Sequence, residues 1–173
     1  EEISLAAPNK NSLGIEGLED IPASLLPLPF VRLVQSVSRD IETADGKDAE
    51  AGSYFINETK EAVNELKFVL LRAKHGEMSY KRGEEIITGW RVALLGVRID
   101  NLKPFLMSLS ATSINNFMSL MSQLKAKDIK KSREYVITAT SEKQENKKGK
   151  YFVAKFNLGD KVDDVTLLEL DKL

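Results

Sequence analysis

The chain of 173 residues has no cysteine, one histidine and one tryptophan. Without cysteine there are no disulfides, no thiolate metal sites and no cysteine nucleophile. The lone histidine, His75, lies beside Lys74 and Gly76 in a turn-like stretch, too few imidazoles for a zinc site. No run reaches the roughly 18 apolar residues that a membrane span needs; the longest apolar stretches, 68–71 and 92–97, have strand length. Phosphate-binding and dinucleotide-binding glycine loops are missing, and so is a Gly-x-Ser-x-Gly elbow. The acidic pairs Glu84-Glu85 and Asp163-Asp164 are adjacent, so in a strand their carboxylates would face opposite ways. A metal-dependent nuclease needs separated acids converging on a groove, and the basic part of the chain offers few: Glu77, Glu84, Glu85 and Asp100. These gaps argue against an enzyme, and no cofactor or metal is expected. The opening Glu1-Glu2-Ile3-Ser4 lacks the pattern of a signal peptide, and a cytoplasmic protein with no membrane partner is expected.

Charge is unevenly placed although the net is only −1. Residues 1–65 carry 5 Lys/Arg against 13 Asp/Glu, a net of −8. Residues 66–157 carry 18 against 8, a net of +10, and residues 158–173 carry 2 against 5, a net of −3. A basic centre between acidic ends suits a polyanionic partner; scatter of charge over a solvated face is the plainer alternative.

Residues 1–29 hold Pro8, Pro22, Pro27 and Pro29, which prevent a long regular element and mark an N-terminal arm. Leu25, Leu26 and Leu28 would pin its end to a core or need cover from a second copy, as in a homodimer. Residues 30–36 and 53–56 have strand character, 37–52 read as a loop, and 57–65 fit a turn or a short helix. The centre is clearer. Residues 66–74 alternate as a strand buried on both faces, and 75–83 are rich in turn residues. Residues 90–100 are a second strand in which Gly96 suggests a bulge or bend, and 105–110 a third with one wetter face. Ile114, Phe117, Met118, Met121 and Leu124 then recur at helical spacing, predicting a helix over 113–127 capped by Thr112 or Ser113. Residues 134–140 and 150–157 alternate again around a polar tip, 141–149. The last 16 residues, acidic with apolar spots, fit a strand, a short helix or a tail.

Strand, strand, strand, helix, strand, strand is the order of an oligonucleotide/oligosaccharide-binding (OB) barrel. The expected fold is therefore mainly β: a five-stranded OB-like barrel over residues 30–157, one helix between strands three and four, the N-terminal extension 1–29 and an acidic C-terminal segment 158–173. Such barrels bind ligands on the face of strands two and three, bordered by the loops joining strands one to two and four to five. The first loop falls at residues 75–87 with Tyr80, Lys81 and Arg82, the second at 141–150 with Lys143, Lys147, Lys148 and Lys150. Arg91, Arg98 and Lys103 are placed to line the groove between them. Cations follow phosphates, and aromatic rings stack on unpaired bases at about 1–3 kcal/mol each. Trp90 reads equally well as barrel core or as a stacking platform. Tyr151 and Phe152 are neighbours in a strand, so one of them faces out; Lys155, on the face of Tyr151, favours Tyr151. The nucleic-acid-binding candidates are thus Lys81, Arg82, Trp90, Arg91, Arg98, Lys147, Lys148, Lys150, Tyr151 and Lys155.

Three segments, Lys103-Pro-Phe-Leu-Met-Ser-Leu-Ser-Ala-Thr-Ser, Lys147-Lys-Gly-Lys-Tyr-Phe-Val-Ala-Lys-Phe and Leu28-Pro-Phe-Val-Arg-Leu-Val-Gln, with the amphipathic helix, resemble phage-encoded single-stranded DNA-binding proteins of the OB type, over residues 28–157. The resemblance implies sequence-independent coating and protection of single-stranded DNA in replication or recombination, in the cytoplasm of the phage's host. It also implies replication proteins as partners of an acidic C-terminal segment, although this segment is richer in leucine and less charged than a strong recruiting tail. The competing reading is a protein-interaction or structural module of a phage or other assembly that binds no nucleic acid. Replacing Lys147, Lys148 and Lys150 together is expected to weaken single-strand binding on every sequence and to flatten its salt dependence, as read by titrations at several salt concentrations.

Overall fold

The computed structural model describes residues 28–36 and 41–172; residues 1–27 of the predicted arm, with Leu25 and Leu26, lie outside them, and Leu28 at its end is exposed. Eight strands follow in the order β1 (Phe30–Leu33), β2 (Tyr54–Ile56), β3 (Glu61–Val63), β4 (Leu66–Arg82), β5 (Glu85–Arg98), β6 (Pro104–Leu109), β7 (Tyr135–Asn146) and β8 (Gly149–Lys161). Helix α1 (Thr112–Ala126) sits between β6 and β7, and α2 (Asp164–Leu170) follows β8. All eight strands form one sheet in the order β3-β2-β1-β6-β5-β4-β7-β8. Every pairing is antiparallel except β1 with β6.

The mainly β architecture is as expected, with the helix after the third of the central strands. The strand count is not: eight strands share the ladder, because β1, β2 and β3 join it beside β6. Residues 57–65, left open between turn and helix, turn at Lys60 (φ 55°) and run into β3. The two expected loops shrink to two residues each, Gly83-Glu84 and Lys147-Lys148. The polar stretches on either side pair residue for residue, from His75 with Val92 to Arg82 with Glu85, and from Ser141 with Ala154 to Asn146 with Gly149. Polar composition hid these strands, since a ribbon wet on both faces has no apolar alternation to show. The boundary expected at residue 157 is likewise absent: β8 continues to Lys161, and Leu170 of α2 is buried against Val69, Val97 and Val162.

The sheet curls around a core of Val31, Tyr54, Leu66, Phe68, Leu94, Phe105, Met107, Ile137 and Phe156, closed on one side by Phe117 and Leu120 of α1. Gly96 marks the tightest point. A Cβ there would lie 2.8 Å from the Phe105 ring and 2.9 Å from that of Phe68. The bare glycine lets those two rings meet edge to face at 5.4 Å. The bend expected at Gly96 appears on the strand beside it: the register shifts between Leu70, its partner, and Arg72.

Among the described residues the ladder does not close on itself by backbone pairing; side chains join β8 to the segment after β1 and to α1. After β1, Gln35 donates from Nε2 to the Phe152 carbonyl (2.9 Å) and accepts the Phe152 N–H on Oε1 (2.8 Å). At the start of α1, Ser113 accepts the Ala154 N–H (2.9 Å) and Asn116 donates to the Ala154 carbonyl (2.8 Å). Across the interior, the Tyr54 hydroxyl donates to the Thr140 carbonyl (2.6 Å), and Ser141 donates to that of Gly52 (2.6 Å). Burial holds the Tyr54 phenol above its ordinary pKa, so it stays a neutral donor. This also explains a correction at the helix start. The expected caps Thr112 and Ser113 do not cap; Ala111 holds the N-cap position at φ 49° with no side-chain bond, because the Ser113 hydroxyl is committed to β8. Gln35→Ala is expected to cost about 1–3 kcal/mol, since it strips both backbone groups of Phe152 of their partner. A lower denaturant midpoint and faster amide exchange at Phe152 would report it.

Candidate nucleic-acid interface

The two long hairpins set the frame. β6 stops pairing with β5 at Val92, and β7 pairs with β4 only over residues 66–68. Among the described residues the β4–β5 ribbon therefore projects with no third strand. Because β7 runs antiparallel to β4, with Leu66 opposite Ala139 and Phe68 opposite Ile137, the β7–β8 hairpin leaves that contact in the opposite direction. The two hairpins stand at opposite ends of the sheet, and the ten predicted residues do not form one patch.

Lys81 and Arg82 occupy the last two positions of β4, at the first hairpin's tip. Trp90 shares a face with Val92 and Leu94, which are buried, but it lies one step beyond the end of β6 and is 59% exposed. Its ring stacks on His75 at 4.8 Å and 14°. Arg91 faces the other way, half-buried, across from Gly76. Lys147 and Lys148 form the second turn, and Lys150 is exposed opposite Glu145. Tyr151 is half-buried and donates to Gln144 Oε1 at 3.1 Å. Phe152 is half-buried too, its ring so close to Gly52 (φ 87°) that a Cβ there would approach within 2.7 Å. Lys155 is exposed opposite Thr140.

Arg98 is a correction. It is 7% exposed and turned into the curl, where its guanidinium meets Asp100 (2.7 Å) and Glu61 (3.1 Å). Burial by itself lowers its pKa, but the two carboxylates outweigh it and the balance lies above the ordinary value. Glu61 belongs to β3, four strands from β5 along the ladder, so the contact crosses the curl and ties its two sides. That charge ties the fold, and what it reaches at the surface is a small cleft of about 160 Å³ shared with Glu65, Leu66, Lys67 and Asp100.

The sheet's outer face holds what the sequence reading missed. Register aligns Arg72, Leu95, Leu106 and Phe30 in one row across β4, β5, β6 and β1. Beside it lie Lys74, Ala93 and Ser108, with Arg32 two residues after Phe30. At a strand spacing of about 4.8 Å these rows span about 14 Å. Small and apolar side chains floor them, cations stand at both ends, and Arg91 borders them. No carboxylate falls in these rows, and Arg32, Arg72 and Lys74 have no ion pair among the described residues. Phe30 is 37% exposed. The Arg32 guanidinium lies 5.6 Å from the Phe55 ring centroid, at an open cleft of about 430 Å³ lined by Arg32, Ile41, Glu42, Phe55, Asn57 and Lys60.

No known family, curated protein or solved structure matches this chain.

A signal for the outer face was present. Unbroken alternation from Phe68 and Leu70 would bury Arg72 and Lys74. Two cations at consecutive inward positions call for a bulge, and the shift after Leu70 supplies it. Among the described residues no three His, Asp or Glu side chains come together as metal ligands, and no helix is long and apolar enough to cross a membrane. Arg98→Ala is expected to lower stability by about 2 kcal/mol, through lost charged hydrogen bonds and two carboxylates left without their partner. Polyanion affinity of the folded protein should be unchanged; a denaturant titration and a binding titration on the same sample separate the two effects.

Proposed function

We propose that the protein binds single-stranded DNA without sequence preference, coating and protecting it in replication or recombination. The observation that carries this reading is the two carboxylate-free rows across the outer face, Arg72-Leu95-Leu106-Phe30 and Lys74-Ala93-Ser108, with Arg32 beside them. Arg72, Lys74 and Arg32 are spaced there to follow a phosphate backbone, while Leu95, Leu106 and Phe30 offer a surface for bases. Cations give affinity without sequence information, and flat apolar or aromatic surfaces accept any base.

The fold supports the same reading. The order β4-β5-β6-α1-β7-β8, with β4 beside both β5 and β7, is compatible with the OB-like reading, in which the second and third strands, here β5 and β6, would carry the ligand face. In place of a direct closure between β6 and β8, this chain inserts β1 beside β6 and reaches β8 through side chains. Lys147, Lys148 and Lys150 extend the cationic path on the second hairpin, with Tyr151 beside them. Trp90 remains a stacking platform on the other face of its hairpin.

A second reading, a protein-interaction module of a phage or other assembly, draws on α2. Val165 and Leu168 are 72% and 64% exposed there, flanked by Asp164 and Glu169. In the first reading the same helix offers replication proteins an acidic, apolar handle.

Arg72→Ala/Lys74→Ala is expected to weaken single-strand binding on all sequences and to flatten the salt slope by about 1.4, at about 0.7 per lost phosphate contact. Fluorescence anisotropy of labelled oligo-dT and of its duplex, at two salt concentrations, reads both. Retention of neither DNA, or binding indifferent to salt, would overturn the proposal.

A further inference from the structure

The open edges of this sheet are treated differently. On β8, where no further strand pairs, the backbone groups of Phe152 and Ala154 are occupied by Gln35, Ser113 and Asn116. On β5, residues 85–91 pair with β4 on one side, and β6 has already ended on the other. Among the described residues no backbone group meets that outer side. The same segment carries two of the largest exposed apolar side chains, Ile86 at 68% and Trp90 at 59%. A two-stranded ribbon is only marginally stable alone, and an unblocked edge is a template for another strand.

We propose that this edge pairs with the same edge of a second copy, antiparallel about a two-fold axis at Thr88. The residue order commits the occupant. Such a pairing sets Ile86 beside Trp90 of the partner subunit on one face, and Glu85 beside Arg91 of the partner subunit on the other. Two-fold symmetry repeats each contact, so one strand supplies two apolar pairs and two opposite-charge pairs, each of the kind that stabilises neighbouring strands. The axis stands perpendicular to the joined ribbon, so the outer faces of both copies lie on one side. Arg91 then serves the dimer, and the phosphate contacts of the basic face fall to Arg32, Arg72 and Lys74. The pairing itself does not rest on the nucleic-acid reading.

The cysteine-free chain makes a direct test simple. Directly opposed residues of antiparallel strands lie about 4.5–5.5 Å apart at Cα, within disulfide range. Thr88→Cys should therefore cross-link to itself under mild oxidation, giving a dimer on a non-reducing gel. Ser79→Cys, on the other edge of the ribbon, should not. Glu85→Arg should abolish the dimer of the otherwise unaltered chain in sedimentation, and Glu85→Arg combined with Arg91→Glu should restore it. A dimer cross-linked through Ser79→Cys in place of Thr88→Cys would overturn the proposal in favour of the β4 edge. A chain that sediments as a monomer at every concentration would overturn it altogether.

Discussion

A curled sheet that does not complete its own ladder must satisfy its last strand some other way. Here that need is met by amide and hydroxyl side chains on β8. Gln35 treats Phe152 as a neighbouring strand would, accepting its N–H and donating to its carbonyl, and Ser113 with Asn116 does the same for Ala154. The positions of β1 and α1 follow from these contacts. β1 must lie where Gln35 reaches β8, and α1 must begin where Ser113 and Asn116 straddle Ala154, at the expense of its own cap. Tyr54 and Arg98 add ties across the interior. Buried polar groups without partners are costly, and among the described residues no buried side-chain nitrogen or oxygen is left unpaired.

Once the curl is fixed, the two faces acquire different jobs. The inner face is apolar and packed, while the outer face of the middle strands is covered by α2 at Val69 and Val97 and open over the rows of Arg72 and Lys74. The bulge after Leu70 converts Arg72 and Lys74 from inward residues into outward ones. It stands opposite Gly96, where the Phe68 and Phe105 rings crowd the sheet. Core packing and surface charge are thus set at one point of the chain.

Much of the fold was legible because its residues repeat. Alternation at 66–70, 92–97 and 105–109 and helical spacing at 114–124 each came from a periodic pattern with one side buried. The misses were of three physical kinds. The hairpin arms are polar on both faces, so their strands carried no periodic signal. Arg98 sat among residues of a groove in one dimension, and only the curl showed that Glu61 would reach it. Arg72 and Lys74 fall in a stretch, 66–74, expected to be buried on both faces, and one unpaired residue turns them outward. Trp90 shows the converse: its sequence fits barrel core and stacking platform equally well, and only the end of β6 decides that it is exposed.

The side-chain clasp on β8 also bears on the order of assembly. β1 is the first described strand to leave the ribosome and β8 the last, yet Gln35 needs both. The intervening hairpin of β4 and β5 rests on local contacts and can form early, whereas β1 joins at Leu106 on its far side. Long-range pairing of that kind is slow, since chain entropy is lost before contacts compensate for it. A nascent chain therefore carries β1 with no strand beside β6 to receive it, and later a β8 edge with its N–H and C=O groups bare. That interval is when this protein is most open to joining the wrong neighbour.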